Sequence, residues 1–175
     1  MYQFEVTYKK EEFHIILMLG NNIKEKTMRY AHTNIVGKDW KKLSDFYIRV
    51  FNCTIKPPKR ELSGDWLDQA TGLSNAELEG VHLLLPGHGD SGPTLEIFSY
   101  QDTYECEPIM ANYTGFTHIA FEVEDVETIF GEALKRGAIK LGEITEKIIE
   151  GIGVLKFVYF RDPEGNIIEI QSWEK

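Results

Sequence analysis

Gly115-Phe-Thr-His-Ile-Ala-Phe-Glu-Val-Glu-Asp125 repeats a pattern that the chain has already shown at Tyr30-Ala-His-Thr-Asn-Ile-Val-Gly-Lys-Asp39. In both stretches a His on a strand-like run is followed seven residues later by an Asp. A second pair of stretches, Leu95-Glu-Ile-Phe-Ser-Tyr100 and Ile168-Glu-Ile-Gln-Ser-Trp173, shares the order aliphatic, Glu, Ile, any residue, Ser, aromatic. Each half of the chain therefore opens with a His strand and closes with a Glu strand. Such a repeat predicts two similar modules that bury one common core.

The length of 175 residues is typical of a single domain. We expect this domain to span residues 28–175, with module one at 28–100, a polar linker at 101–114 and module two at 115–175. Residues 1–27 fit neither module, so they are either an upstream extension or an added strand. Periodicity predicts the order βαβββ in each module, which places the chain in the α+β class.

Several local patterns set the expected elements. An apolar stripe at spacings of three and four predicts a helix over residues 39–51, and a second helix is predicted at Val126–Arg136. A short helix at Asp65–Thr71 has no counterpart in module two. After the first helix, a strand is expected to end at Pro57-Pro58, and a single strand is expected at Ala138–Glu146. The intervening cluster of Lys56, Lys59 and Arg60 is either a solvated loop or an anion site.

Charge, hydropathy and cysteine content exclude several classes of function. The chain carries 19 basic and 28 acidic residues, a net charge of -9, which disfavours binding to nucleic acid or to an anionic membrane surface. The apolar run at residues 13–19 is too short to cross a membrane. The two cysteines, Cys53 and Cys106, show no CxxC spacing, which argues against a disulfide scaffold or a thiolate zinc site. We therefore expect a cytoplasmic protein; the small-molecule substrate is implied only by the resemblance described below.

The repeated His and Glu residues are the candidate site. Because side chains alternate along a strand, both Glu residues point away from the core aliphatics that flank them. A carboxylate in such a place is costly unless its charge is compensated. Two imidazoles and two carboxylates suit a divalent ion such as Ni, Co, Zn, Mn or Fe. The sequence therefore predicts a metal site made of His32, Glu96, His118 and Glu169. His82 and His88 have no partner in the repeat and receive no predicted role.

Four stretches resemble a known family, and they are Tyr30-Ala-His32, Pro93-Thr-Leu-Glu96, Phe116-Thr-His118 and Arg161-Asp-Pro-Glu-Gly-Asn-Ile-Ile-Glu169. They resemble the vicinal oxygen chelate superfamily, also called the glyoxalase/bleomycin resistance/dioxygenase superfamily, over residues 29–173. The resemblance implies paired βαβββ modules that form a U-shaped mixed sheet around a metal, and it implies a homodimer. It also implies that the same four side chains are the ligands, as in members that isomerise rather than oxidise.

Among these isomerases, the chain is most similar to the lactoylglutathione lyases. That similarity implies conversion of a 2-oxoaldehyde thiol hemithioacetal to a 2-hydroxyacyl thioester through an enediolate held at the metal, with a low-molecular-weight thiol as co-substrate. It also implies that Glu169 is the catalytic base and that Glu96 is equivalent but more structural. The alternatives are an acyl-CoA epimerase like methylmalonyl-CoA epimerase, which has Gln where this chain has Glu96, and a binding protein or dioxygenase of the same superfamily.

Overall fold

The computed structural model describes residues 28–175, and the expected extension at residues 1–27 lies outside them. Module one contains β1 (His32–Val36), α1 (Trp40–Phe51), β2 (Thr54–Ser63), α2 (Asp65–Thr71), β3 (Glu77–Leu84) and β4 (Thr94–Tyr100). Module two contains β5 (His118–Glu122), α3 (Val126–Lys135), β6 (Ile139–Lys140), β7 (Thr145–Ile149), β8 (Gly153–Arg161) and β9 (Ile167–Glu174). None of the three helices in this part of the chain is long and apolar enough to cross a membrane.

The strands form two mixed sheets. The first has the order β1-β4-β3-β2, and the second has the order β5-β9-β8-β6 with β7 also paired to β8. In each sheet the His strand runs parallel to the Glu strand, whereas the other neighbouring strands are antiparallel. β1 and β5 are therefore equivalent edge strands. The expected α+β fold of two paired modules is confirmed.

The Asp that closes each repeated stretch begins a helix. The carboxylate of Asp39 accepts hydrogen bonds from the backbone N–H groups of Lys41 and Lys42 and so caps α1. Asp125 caps α3 in the same way through the N–H of Thr128. Such caps satisfy N–H groups that have no partner within the helix, which explains why the repeat keeps an Asp seven residues after the His.

The two modules share one apolar core. Buried residues of α1, α3 and both sheets form a single cluster, which includes Leu43, Tyr47, Ile97, Val126, Ala133 and Ile168. The rings of Phe51 and Phe121 stack across the modules with centroids 4.1 Å apart. The Tyr47 hydroxyl of module one also donates to Oδ2 of the buried Asp162 of module two at 3.0 Å. Packing between the modules therefore holds the two sheets together.

Two predicted strand boundaries were wrong. β2 does not end at Pro57-Pro58 but continues to Ser63. It can do so because it lies at a sheet edge, and its register against β3 shifts between Lys56 and Arg60, where the prolines lack N–H donors. The single strand expected at residues 138–146 is two strands, β6 and β7. Between them, Gly142 donates its N–H to the Tyr159 carbonyl oxygen at 2.9 Å.

Helix α2 forms as expected, and Gly72 ends it in the left-handed conformation at φ 74°. Leu67 of α2 packs on Leu78 and Phe98 in a second, smaller apolar cluster. Leu78 and Phe98 lie at even-numbered positions of β3 and β4, on the same side of the sheet as Glu96. Helix α2 therefore covers one end of the sheet face that carries Glu96.

Candidate active site

The two glutamates occupy equivalent places in the two sheets. Glu96 on β4 and Glu169 on β9 are both 9% exposed. Their chain neighbours Leu95, Ile97, Ile168 and Ile170 are buried in the shared core, as the alternation of side chains predicted. The parallel pairing places Asn34 opposite Glu96 and Ala120 opposite Glu169. Each carboxylate therefore lies on the sheet face opposite the one that packs on α1 or α3, close to the His strand.

Three nitrogen-bearing side chains surround the Glu96 carboxylate. Its Oε2 lies 3.5 Å from Nε2 of His32 and accepts a hydrogen bond from the Asn34 side-chain amide at 3.4 Å. Its Oε1 lies 2.9 Å from Nε2 of His82. The other ring nitrogen of His82, Nδ1, is 3.1 Å from the Thr94 hydroxyl. We call His32, His82 and Glu96 the module-one half-site.

The contact of His82 with Glu96 was missed in the sequence analysis. β3 pairs with β4 so that His82 is directly opposite Glu96, and in module two the residue in that place is Tyr159, opposite Glu169. Because the two residue types differ, a search for repeated His or Glu does not find this position. A useful signal is that His82 and Tyr159 both interrupt apolar strands that precede a Glu strand.

The pKa of His82 is lowered from its usual value, chiefly because the ring is partly buried. The positive charges of Arg60 and Lys56 lower it further, whereas the Glu96 carboxylate opposes the shift. A neutral imidazole has one donor and one acceptor nitrogen. With Nε2–H donating to Glu96 and Nδ1 accepting from Thr94, both nitrogens are satisfied.

Glu169 is contacted from two sides. Its Oε2 lies 3.2 Å from Nε2 of His118, whose Nδ1 is 3.1 Å from the Thr117 hydroxyl. Tyr159 packs edge-on against the His118 ring with centroids 5.0 Å apart. Burial raises the pKa of Tyr159 to about 12, and the nearby Glu169 carboxylate acts in the same direction. The phenol therefore stays protonated at neutral pH. We call His118, Tyr159 and Glu169 the module-two half-site.

Each His–Glu pair has the chemistry and spacing of two ligands of one ion. Ligand atoms about 2 Å from a common metal at ordinary coordination angles lie roughly 3 Å apart. The observed N–O separations of 3.5 Å and 3.2 Å are close to this value. Within residues 28–175, however, no group of three or more His, Cys, Asp or Glu side chains is arranged to hold a metal ion. The structure thus assembles two ligand pairs and does not join them into one cluster.

A cavity of about 420 Å³ lies between β1 and β5, and its lining includes Asn34 and His118. Arg161, which is 9% exposed, also lines it. The Arg161 guanidinium donates to the carbonyl oxygens of Ile109 at 2.7 Å and Gly165 at 2.8 Å. A buried cation thereby fixes the linker between the modules beside the cavity. No role was predicted for Arg161 from the sequence.

Solved structures share this fold. A glyoxalase family protein from Bacillus cereus has a TM-score of 0.74 and 21% identity over 87% of this chain and 98% of that one. A glyoxylase/bleomycin resistance protein/dioxygenase domain from Frankia sp. EAN1pec has a TM-score of 0.54 and 16% identity over 86% and 95%. A glyoxalase family protein from Enterococcus faecalis has a TM-score of 0.51 and 21% identity over 85% and 99%. At these identities the likeness concerns the fold.

A search of curated protein sequences found no significant match. A family model described as the glyoxalase/bleomycin resistance protein/dioxygenase superfamily matches residues 31–160. The matched part includes His32, Glu96 and His118, and it ends before Glu169. It covers well over half of the chain and both repeated His strands. The chain therefore belongs to the glyoxalase/bleomycin resistance protein/dioxygenase superfamily.

Proposed function

We propose that the protein is a metal-dependent isomerase of the lactoylglutathione lyase type. Its reaction would convert the hemithioacetal of a 2-oxoaldehyde and a low-molecular-weight thiol to a 2-hydroxyacyl thioester. The observation that carries the proposal is the duplicated pair of a buried Glu and a His on equivalent strands, His32 with Glu96 and His118 with Glu169. A buried carboxylate in each module needs a compensating charge, which a cation held between the pairs supplies.

In this proposal the four side chains hold one divalent ion, which is Ni, Co, Zn, Mn or Fe because imidazole and carboxylate ligands select weakly among them. When bound, the ion supplies Lewis acidity that makes the C–H beside a substrate carbonyl more acidic. Of the four proposed ligands, His118 lines the cavity between β1 and β5. The site is completed when the two pairs meet, either by approach of these strands or by pairing with a second chain.

Glu169 is the proposed base. It takes the proton from the hemithioacetal carbon and returns it to the adjacent carbon, so that the first carbon becomes the thioester carbonyl and the second carries the hydroxyl. The contacts support this choice, because Glu96 is restrained by His32, His82 and Asn34. Glu169 has only two such neighbours, His118 and Tyr159. A less restrained carboxylate moves more easily toward a substrate proton.

A second candidate is an acyl-CoA epimerase. Two carboxylates at equivalent positions in the two modules suit its proton transfers, whereas Glu96, in the place where methylmalonyl-CoA epimerase has Gln, makes it the second choice. An epimerase must remove a proton from one face of a carbon and deliver one to the other face, and two opposed carboxylates suit that task. Exchange of deuterium at the carbon next to the thioester of methylmalonyl-CoA distinguishes this activity from the first.

The first experiment is elemental analysis of the purified protein and two His variants. We expect one divalent ion per chain in the wild type, loss of that ion in His118→Ala, and retention in His88→Ala. His88 is the control because it is exposed on the loop between β3 and β4. Equal metal content in the wild type and His118→Ala would rule out the proposed site.

The second experiment tests the reaction. Methylglyoxal is mixed with a panel of low-molecular-weight thiols, and thioester absorbance is followed with the metal-loaded protein. Thioester formation with one thiol supports the isomerase. Deuterium exchange in methylmalonyl-CoA without thioester formation supports the epimerase instead. Tight binding of the hemithioacetals without turnover would leave a binding protein as the function.

We further propose a cytoplasmic homodimer. Edge strands of a sheet need protection from unwanted pairing, and β2 is such an edge. Ile148 and Ile152 are also exposed at 75% and 63% around the turn between β7 and β8. Both cysteines are free, as expected in a reducing compartment. Light scattering is expected to give twice the chain mass, and a 20.1 kDa species at micromolar concentration would contradict the dimer.

A further inference from the structure

The pairing of β2 with β3 sorts their charged side chains onto two faces of the sheet. Glu61 and Glu79 lie directly opposite each other, and the Lys59 ammonium bridges them at 2.5 Å and 3.1 Å. The same ammonium lies 5.3 Å from the ring centroid of Trp40, the first residue of α1. The acidic residues and Lys59 thus neutralise one another on the face that α1 covers.

The other two cations of the cluster lie on the opposite face. Lys56 pairs with His82 and Arg60 pairs with Gly80, and residues directly opposite in an antiparallel pair share a face. From Lys56 to Arg60 there are four steps on β2, and from His82 to Gly80 there are two on β3. β2 thus has two extra residues, an even number, so both cations stay on the same side of the sheet. Since His82 is opposite Glu96, Lys56 and Arg60 face the same side as the module-one half-site.

Neither cation has a carboxylate partner in the described part of the chain. The Lys56 ammonium contacts the Asp90 carbonyl oxygen at 3.4 Å, and the Arg60 guanidinium contacts the Pro58 carbonyl oxygen. The carboxylate of Glu96 on this face is already engaged by two imidazoles. Both cations are half-buried. In a chain of net charge -9, two uncompensated positive charges beside the candidate site are unusual.

An apolar wall stands next to these cations. Phe98 and the Ile97 carbonyl crowd Gly80 so closely that a Cβ there would lie 2.4 Å from the Phe98 ring and 2.0 Å from that oxygen. The Phe98 ring also packs against His82 with centroids 5.9 Å apart. The cations are therefore bordered by His82 on one side and by the apolar cluster under α2 on the other.

We propose that Lys56 and Arg60 form a subsite for an anionic group of the substrate, a carboxylate or a phosphate. A Lys ammonium and an Arg guanidinium are the side chains that bind such oxyanions best. The inference rests on the proposed function for the reacting end of the substrate. Because β2 is two strands from β4 and neighbouring strands are roughly 4.8 Å apart, the anionic group lies about 10 Å from Glu96. The substrate class is thus an extended thiol adduct with an acidic end.

The test measures binding of inorganic phosphate and of acetate by calorimetry or by NMR shifts of the Gly80 amide. Wild type is compared with Lys56→Gln/Arg60→Gln and with Lys59→Gln, which removes a cation of the same strand from the other face. We expect the double variant to bind the anions at least tenfold more weakly, the scale of lost charge-assisted hydrogen bonds. Lys59→Gln should bind like the wild type. Thermal melting checks that all three proteins are folded.

Equal anion affinity in the wild type and the double variant would overturn the subsite, and so would equal losses in the double variant and Lys59→Gln. Tighter binding of phosphate than of acetate supports a phosphorylated substrate, and the reverse order supports a carboxylate. The result is separable from the proposed reaction. Thioester formation without the expected anion binding removes only the subsite, whereas anion binding without any thioester formation removes the reaction and keeps the subsite.

Discussion

The two half-sites have the same backbone frame and different surroundings. In both, a His on an edge strand faces a Glu on the parallel neighbour, with N–O separations of 3.5 Å and 3.2 Å. The antiparallel neighbour contributes His82 in module one and Tyr159 in module two. The His strand itself contributes Asn34 opposite Glu96 in module one, where module two has Ala120 opposite Glu169.

This difference separates what is shared from what is specialised. The shared His–Glu pair fits the task of holding an ion, which needs the same donors from each side. Beside the shared imidazole, Glu96 is held by two further nitrogen-bearing groups, His82 and Asn34, whereas Glu169 has a protonated phenol in Tyr159. One carboxylate is thus fixed and the other is freer to move. Two predictions test this asymmetry.

The largest expected effect is on turnover. Glu169→Gln should lose on the order of 10² or more in turnover while keeping a folded structure and some metal, because it removes the proposed general base. Glu96→Gln should lose less turnover. The rates are measured by thioester absorbance, with metal content determined on the same samples. Normal turnover of Glu169→Gln together with an inactive, metal-loaded Glu96→Gln would reverse the assignment.

A smaller effect is expected on metal affinity. His82→Phe removes both hydrogen bonds of the ring and frees Glu96, so the affinity should fall roughly tenfold, as for other groups that orient a ligand. His82→Gln retains an N–H donor and should recover part of the loss. Tyr159→Phe is the matched change in module two and should have the smaller effect. Competition with a chelator gives the affinities, and equal losses in the two modules would contradict the asymmetry.

The smallest predicted effect concerns the contact that links the modules through the Asp162 turn. Tyr47→Phe should reduce the free energy of unfolding by about 2 kcal/mol at neutral pH, the scale of a hydrogen bond to a charged group. Tyr113→Phe, at a half-exposed position, is the control. Denaturant unfolding measures both. An equal effect of the two changes would show that the hydroxyl of Tyr47 does not stabilise the contact.

The same contact predicts a pH dependence. Burial raises the pKa of Asp162 above its usual value of 3.8, while hydrogen bonds from Asn166, Glu164 and Tyr47 oppose the shift. Because the pKa of Asp162 is higher in the folded than in the unfolded protein, its protonation adds to the free energy of unfolding. This contribution is complete below pH 3.8 and is lost as the pH rises through the folded-state pKa. Removal of the Tyr47 hydroxyl raises that pKa further. The loss in free energy of unfolding caused by Tyr47→Phe should therefore grow as the pH increases. A loss that is constant with pH would contradict this explanation.

The sequence by itself determined the modular plan and the candidate ligands. The repeat of a His strand and a Glu strand is visible without coordinates, and the alternation of side chains correctly placed Leu95, Ile97, Ile168 and Ile170 in the core. The cap at Asp39 is also a local feature, because a cap depends on neighbouring backbone N–H groups. These features depend on interactions within one element or on a spacing that recurs, so a single sequence is enough to find them.

Only the tertiary structure decided which residues from different strands meet. The contact of His82 with Glu96 depends on the register of β3 against β4, and the loops that set the two registers differ, residues 85–93 in module one and 162–166 in module two. The placement of Lys56 and Arg60 depends on a register shift at two prolines that the sequence analysis took as the end of a strand. A shift by one residue would move each side chain to the other face, so the pairing of strands, which local sequence does not specify, determines the surroundings of each glutamate.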